Sequence, residues 1–168
     1  MNIKDINPET EISIVLFEPR IPQNTGCIAR TCAALDIPLI LIEPLGFSLG
    51  DKYLKRAGLD YWPFVQLKIY PTFDSYQSTL TRDQRIIGCS KSNGSNYRTF
   101  KYKSGDQLLF GREDNGLPSN IRNECNKVVS IPMRGASQED GTGGVRSLNL
   151  SVAMGIISYQ ASSTIGII

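Results

Sequence analysis

Six short apolar, β-branched runs punctuate the chain, at residues 12–17, 39–42, 64–67, 85–89, 107–110 and 128–131. Each is strand-length and bounded by Gly, Pro or polar residues, the signature of a buried strand. The intervening stretches carry helical spacing. Residues 25–35 place Ile28, Cys32 and Leu35 on one stripe, and residues 147–162 place Leu150, Met154 and Ile157 on one face. Residues 51–57 and 72–80 are weaker helical candidates. Strand and helix alternating in this way predict an α/β fold, with a mostly parallel sheet covered by helices on both faces.

Length and charge narrow the picture. The chain has 168 residues, 40% of them hydrophobic, with 18 basic and 16 acidic side chains. That suits one domain over residues 11–168, preceded by a loose extension at 1–10, and excludes a disordered chain. No apolar run reaches the ~18 residues of a membrane span. The first ten residues are polar and of mixed charge, unlike a signal or transit peptide, so a cytoplasmic location without membrane attachment is expected. Histidine is absent. This excludes histidine general bases, Ser-His-Asp triads and every histidine-containing metal site. Cys27, Cys32, Cys89 and Cys125 form no CxxC pair, so reduced thiols and no metal are expected.

The net charge of +2 is unevenly spread. Arg82, Arg85, Lys91, Arg98, Lys101 and Lys103 lie within 22 residues that hold one acid, Asp83, with Tyr97, Phe100 and Tyr102 interleaved. Such a strip reads either as a phosphate-binding surface with stacking residues or as a solvated loop.

Three loops carry candidate chemistry. Residues 21–30 (IPQNTGCIAR) follow a strand and open a helix, where Asn24 or Thr25 can cap and bare N–H groups can hold an anion. Arg30, two residues past Ile28, is expected to face outward. Residues 108–118 (LLFGREDNGLP) end a strand in Gly111, which allows a ligand close to backbone, at the strand end where such sheets bind ligands. The spacing is neither a Walker A loop nor a dinucleotide fingerprint. An ordinary turn remains an equal reading. Residues 131–134 (IPMR) lead through a glycine-rich segment, 135–145, expected to be exposed and flexible, into 145–151 (VRSLNLS), where Ser147 or Asn149 can cap the last helix.

In this order the three loops resemble the SPOUT (α/β-knot) superfamily of RNA methyltransferases, and specifically the small tRNA wobble-nucleotide ribose 2′-O-methyltransferases of the TrmL type. The matching segments are Glu18 to Ala33 for EPxIPxNTGxIxRxCA, Phe110 to Pro118 for FGxExxGLP, and Ile131 to Met133 with Arg146 to Ser151 for IPM…RSLNLS. The segment from Ile42 to Phe47, then Asp51-Lys52 and Arg56 to Tyr61, also matches, so the resemblance spans about residues 12–160. Trp62 stands where the family usually has histidine, and the 134–145 loop is longer than the family's.

The resemblance implies a C-terminal trefoil knot, a homodimer, and S-adenosylmethionine bound near Cys89, Gly111, Ile131, Met133, Ser147 and Leu148. It implies methyl transfer to the ribose 2′-OH of the wobble nucleotide (C34/U34) in the tRNA anticodon loop, without a metal. Arg30, Asn24 and Glu113 are its catalytic candidates. A guanidinium is effectively always protonated, so Arg30 suits phosphate binding and stabilisation of charge on the 2′ oxygen better than proton abstraction. Asn24 would orient the ribose or Arg30. Glu113 would either order its loop or offset the sulfonium charge, and Tyr159 would serve dimer packing or the core. Lys52, Lys55 and Arg56 join the basic strip as a candidate RNA surface. The rival expectations are the same chemistry on another RNA such as rRNA, a non-catalytic RNA-binding module, and a dehydrogenase. The last would require a GxGxxG after the first strand, and residues 21–30 hold one glycine.

Overall fold

In the computed structural model, which describes residues 12–50, 61–135 and 144–168, seven strands form one sheet. The strands are β1 (Ile12–Phe17), β2 (Leu39–Ile42), β3 (Leu67–Tyr70), β4 (Ile86–Cys89), β5 (Ser95–Asn96), β6 (Asp106–Phe110) and β7 (Lys127–Ser130). Their order is β3-β2-β1-β6-β4-β7-β5, and every pairing is parallel. The helices are α1 (Pro22–Leu35), α2 (Phe73–Gln77), α3 (Ser119–Asn123) and α4 (Leu150–Ile165), with a 3-10 turn at Trp62–Phe64. The expected α/β architecture is therefore present. The proposed helix at 51–57, the extension at 1–10 and the cations Lys52, Lys55 and Arg56 lie outside the described residues.

The central strands are apolar on both faces because both faces are covered. Along β1, Ile12, Ile14 and Leu16 face one core and Val15 and Phe17 the other. β2 and β6 alternate in the same way. The first core is closed by Ile28, Ala29 and Cys32 of α1 and by Met154, Ile157 and Ala161 of α4. The second is closed by Phe73 and Tyr76 of α2 and Ile121 of α3.

Several expected boundaries move for identifiable reasons. α1 starts at Pro22, whose fixed φ suits a first helical position, so Asn24 and Thr25 sit inside the first turn and neither caps it. The run at 64–67 gives way to the Trp62–Phe64 turn, and β3 takes 67–70 instead, in register with β2. α4 begins after Asn149, whose Oδ1 accepts from Ser151 N–H at 2.9 Å, and ends at Gly166, which adopts φ +80°. Asn149 is thus the cap, and Ser147 lies before the helix.

The basic strip differs from a stacking surface. Tyr102 is 4% exposed and packs edge-on against Phe100, with ring centroids 4.9 Å apart. Tyr97 and Phe100 also pack against the first core. Arg85 is engaged by Asp106, which is 1% exposed, through Nε (2.8 Å) and Nη2 (2.7 Å).

Candidate functional site

β4, β6 and β7 are neighbours in register: Cys89 pairs with Phe110 on one side and Val129 on the other. Their carboxyl ends therefore open at one level, the place where parallel sheets hold ligands. There a cavity of ≈ 830 Å³ is lined by Cys89, Gly111, Ile131, Met133, Ser147 and Leu148, and also by Asn24 and Glu113. Eight of the nine residues singled out in the sequence thus share one cavity. A second, more open depression of ≈ 650 Å³, over residues 43–49 and Pro71, contains none of them.

The ninth, Arg30, is not in the cavity wall. It lies exposed on the outer side of α1, as its helical position predicts. Its guanidinium sits 5.7 Å from the centre of the Tyr61 ring, and the Tyr61 hydroxyl donates to Gly26 O at 2.7 Å. The ring therefore holds Arg30 near the start of α1, a contact no local sequence pattern announces.

The three loops are wired together by side chains. The Glu113 carboxylate accepts from the N–H of Arg20 (2.8 Å), the N–H of Ile21 (3.2 Å) and Asn24 Nδ2 (3.3 Å). It thus serves donors at the entrance to α1, where no side chain of the helix caps. Asn24 Oδ1 in turn accepts from Asn149 Nδ2 at 3.0 Å. Asn149 accepts from the N–H of Ser151 and from its hydroxyl, the latter at 2.7 Å. One relay, Glu113–Asn24–Asn149, joins the second loop to the starts of α1 and α4.

The second loop is closed by backbone. Arg112 and Gly116 exchange two hydrogen bonds, of 3.1 and 2.8 Å. A Cβ on Gly111 would fall 2.1 Å from the Gly116 carbonyl carbon, so only glycine fits under this fold-back. Gly116 itself adopts φ +67°. Arg112 holds Asp114 through Nε (2.8 Å) and Nη2 (2.6 Å), and these bonds lower the Asp114 carboxyl to about 2.

The opposite wall is residues 90–93. Arg122, from α3, donates to Ser90 Oγ (2.6 Å), Ser92 O (3.2 Å) and Asn93 O (2.8 Å). No sequence signal marked Arg122, since its partners lie about thirty residues upstream. Burial pushes the Cys89 thiol well above its ordinary value, so it lines the cavity as a neutral, weakly polar group rather than as a nucleophile. Among the described residues, no cluster of Cys, Asp and Glu could hold a metal ion, and no helix is long and apolar enough to cross a membrane.

A cleft of this size at three strand ends, with apolar wall from Phe110, Ile131 and Ile157 and many polar groups around it, fits a nucleoside-sized ligand. The chain is similar to known proteins in sequence and fold. The tRNA (cytidine(34)-2'-O)-methyltransferase of Yersinia pestis is 38% identical over 161 residues, covering 92% of this chain and 94% of that protein. A solved structure reported for the 2-OH methylation of C/U34 on tRNA superposes with TM-score 0.84 at 42% identity, over 93% of this chain and 97% of the other. An AdoMet-bound rRNA methyltransferase from Sinorhizobium meliloti gives TM-score 0.80 at 26% identity, covering 95% of this chain and 59% of that longer one. The sequence pattern of the SpoU rRNA Methylase family matches residues 11–159, which takes in all three loops, and the chain belongs to that family.

Proposed function

We propose that this protein transfers a methyl group from S-adenosylmethionine to the ribose 2′-OH of the wobble nucleotide (C34/U34) of tRNA. The observation that carries the reading is the convergence of Gly111, Ile131, Met133, Ser147 and Leu148 with Cys89 on one cavity at the sheet's carboxyl edge. The cavity fits S-adenosylmethionine: Gly111 lets the 111–117 turn fold back close under its rim, and Phe110, Ile131 and Ile157 provide apolar wall. When bound, that cofactor supplies an electrophilic methyl carbon already activated by its sulfonium. The chain's own residues supply placement and charge. Strand ends at Cys89, Gly111 and Ile131, with the Ser147–Leu148 segment, hold the donor. Asn24, fixed between Glu113 and Asn149, orients the first loop. Glu113 acts through the order it imposes on that loop.

Arg30 completes the site from a second copy of the chain. Its place outside its own cavity supports this assignment. So does the outward face of α4, where Val152 and Tyr159 are 50% and 49% exposed, two helical turns apart. Tyr159 is therefore a packing residue of the homodimer. There Arg30 binds phosphate and stabilises negative charge on the 2′ oxygen as its proton leaves to solvent or phosphate. The domain spans residues 11–168, with α4 threaded in a C-terminal trefoil knot, and acts in the cytoplasm without a metal or membrane. The relatives similar along nearly their whole length are named for tRNA C34 or C/U34, which favours tRNA as the substrate.

The test is methyl transfer from labelled S-adenosylmethionine to tRNA, read by nucleoside mass spectrometry. One methyl at the wobble ribose is expected. Equal incorporation into tRNA carrying a 2′-deoxy wobble nucleotide would refute it.

A further inference from the structure

The five exposed cations Lys91, Arg98, Lys101, Lys103 and Arg82 have a common path across the molecule. β5 pairs with Val129 and Ser130, at the carboxyl end of β7, so the segments on either side of it start at the cavity edge. Lys91 lines the cavity itself. From Arg98 the chain descends to the amino end of β6. There the Lys101 carbonyl accepts from Arg85 Nη2 at 3.2 Å, and the Lys103 N–H donates to Asp106 Oδ2 at 2.9 Å. Gly105 lies beside Asp83 and Gln84, which brings Arg82 to this same lower edge. The path is at least as long as β6, about 13 Å at the usual rise per residue.

Among the described residues none of the five pairs with a carboxylate. Asp83 is the one exposed acid in the segment, because Asp106 is buried against Arg85. The aromatic side chains of the strip are turned inward, and Phe100 lies under Arg85 at 5.7 Å. The surface therefore offers charge without a stacking platform. Such a surface matches a sugar-phosphate backbone rather than unstacked bases.

We propose that these cations form a phosphate track, leading RNA backbone from the lip of the cavity to the opposite edge of the sheet. The protein thereby grips its RNA well beyond the methylated nucleotide. This rests on the reading of the site given above, and assigns tRNA recognition to a surface that begins at the cavity lip with Lys91 and continues beyond it.

The double variant Lys101→Glu/Lys103→Glu probes the far end. Both lysines contribute their structural hydrogen bonds through backbone atoms, so the fold and thermal midpoint are retained. Binding of full-length tRNA is measured across a salt series, together with KM and kcat. The variant is expected to raise Kd and KM several-fold, keep kcat, and reduce the slope of log K against log salt by about 2, one per lysine. On a dinucleotide carrying the wobble ribose, which is too short to reach the far end, variant and unsubstituted protein are expected to bind alike. An unchanged Kd and slope on full-length tRNA would overturn the track, as would equal weakening on both RNAs. If the unsubstituted protein methylates no tRNA, the reading of the cavity fails, while the binding series still decides the track.

Discussion

Replacing Glu113 by Gln removes a charge and one acceptor while preserving shape. The native carboxylate serves three donors, two of them backbone N–H groups at the entrance to α1. The amide of Gln turns an NH2 toward N–H groups, so one of its ends becomes a donor facing donors. Hydrogen bonds to a charged group each contribute about 1.5–3 kcal/mol. Ile21 is 41% exposed, so water replaces part of what is lost there. A net cost of about 2 kcal/mol follows, most of it from the 2.8 Å bond to Arg20. For a chain of this size that lowers the thermal midpoint by about 4–8 °C. The assay is urea unfolding at fixed protein concentration, since the midpoint of any chain that self-associates depends on concentration. The midpoint should fall without a change in slope. Pairing the substitution with Asn24→Ala should give a coupling of at least about 0.5 kcal/mol, because the two share a hydrogen bond. Stability within about 0.5 kcal/mol of the unsubstituted protein, together with additive single effects, would refute the account of Glu113 as the tie between the second loop and the entrance to α1.

Gly111→Ala should abolish donor binding by calorimetry, because its Cβ would overlap the Gly116–Leu117 peptide and the loop would have to open. Overpacking of this kind costs about 1–3 kcal/mol, so the protein should remain folded while the site is lost. Of the four thiols, exposed Cys27 should react fastest with a disulfide reagent at neutral pH, the half-buried Cys89 and Cys125 more slowly, and buried Cys32 only on unfolding. Burial pushes the Cys125 thiol up to about 11 and raises Cys32 and Cys89 as well. These groups are neutral in both states below the ordinary thiol value of about 9, so their contribution is complete there. It is lost as pH rises from 9 toward 11, because the unfolded chain ionises first; stability measured across that window should decline, and less steeply in Cys125→Ala.

The strands legible in the sequence are those buried on both faces. β1, β2 and β6 are buried along their whole length, and apart from Ser13, Asp106 and Gln107 they are apolar because nothing on either side of them meets water. β5 is two exposed polar residues, Ser95 and Asn96, extended only because the edge of β7 offers partners. α3 carries a single buried residue, Ile121, which is too few for any period to show. Of the site, Gly111 was legible because glycine at a strand end marks backbone that a side chain would obstruct, whereas Cys89, Ile131, Met133, Leu148 and the catalytic candidates were reached through the resemblance of the three loops to the SPOUT superfamily. Their connections were not. Glu113 and Asn24 are 89 residues apart, and Asn24 and Asn149 are 125 apart. Local pattern carries no information at such distance, which is why Asn24 read as a helix cap when its side chain instead bridges Glu113 and Asn149.

That relay explains how one short chain can build a site from three distant segments. Each segment alone has an unmet need. α1 begins at a proline with no capping side chain, the 111–117 turn has no apolar anchor beyond Leu117, and α4 starts after an extended stretch. Two side-chain links meet all three needs at once, and the carbonyl-rich strand ends between them are left to line a cavity. The same economy accounts for Arg30. With both helix starts committed to the relay inside the cavity mouth, the arginine six residues further along α1 is directed outward and held there by Tyr61. A cation placed on the outer surface can serve a cavity only when another surface is brought to it. The exposed apolar residues of α4, on the helix that packs beside α1, are where a second copy would do so.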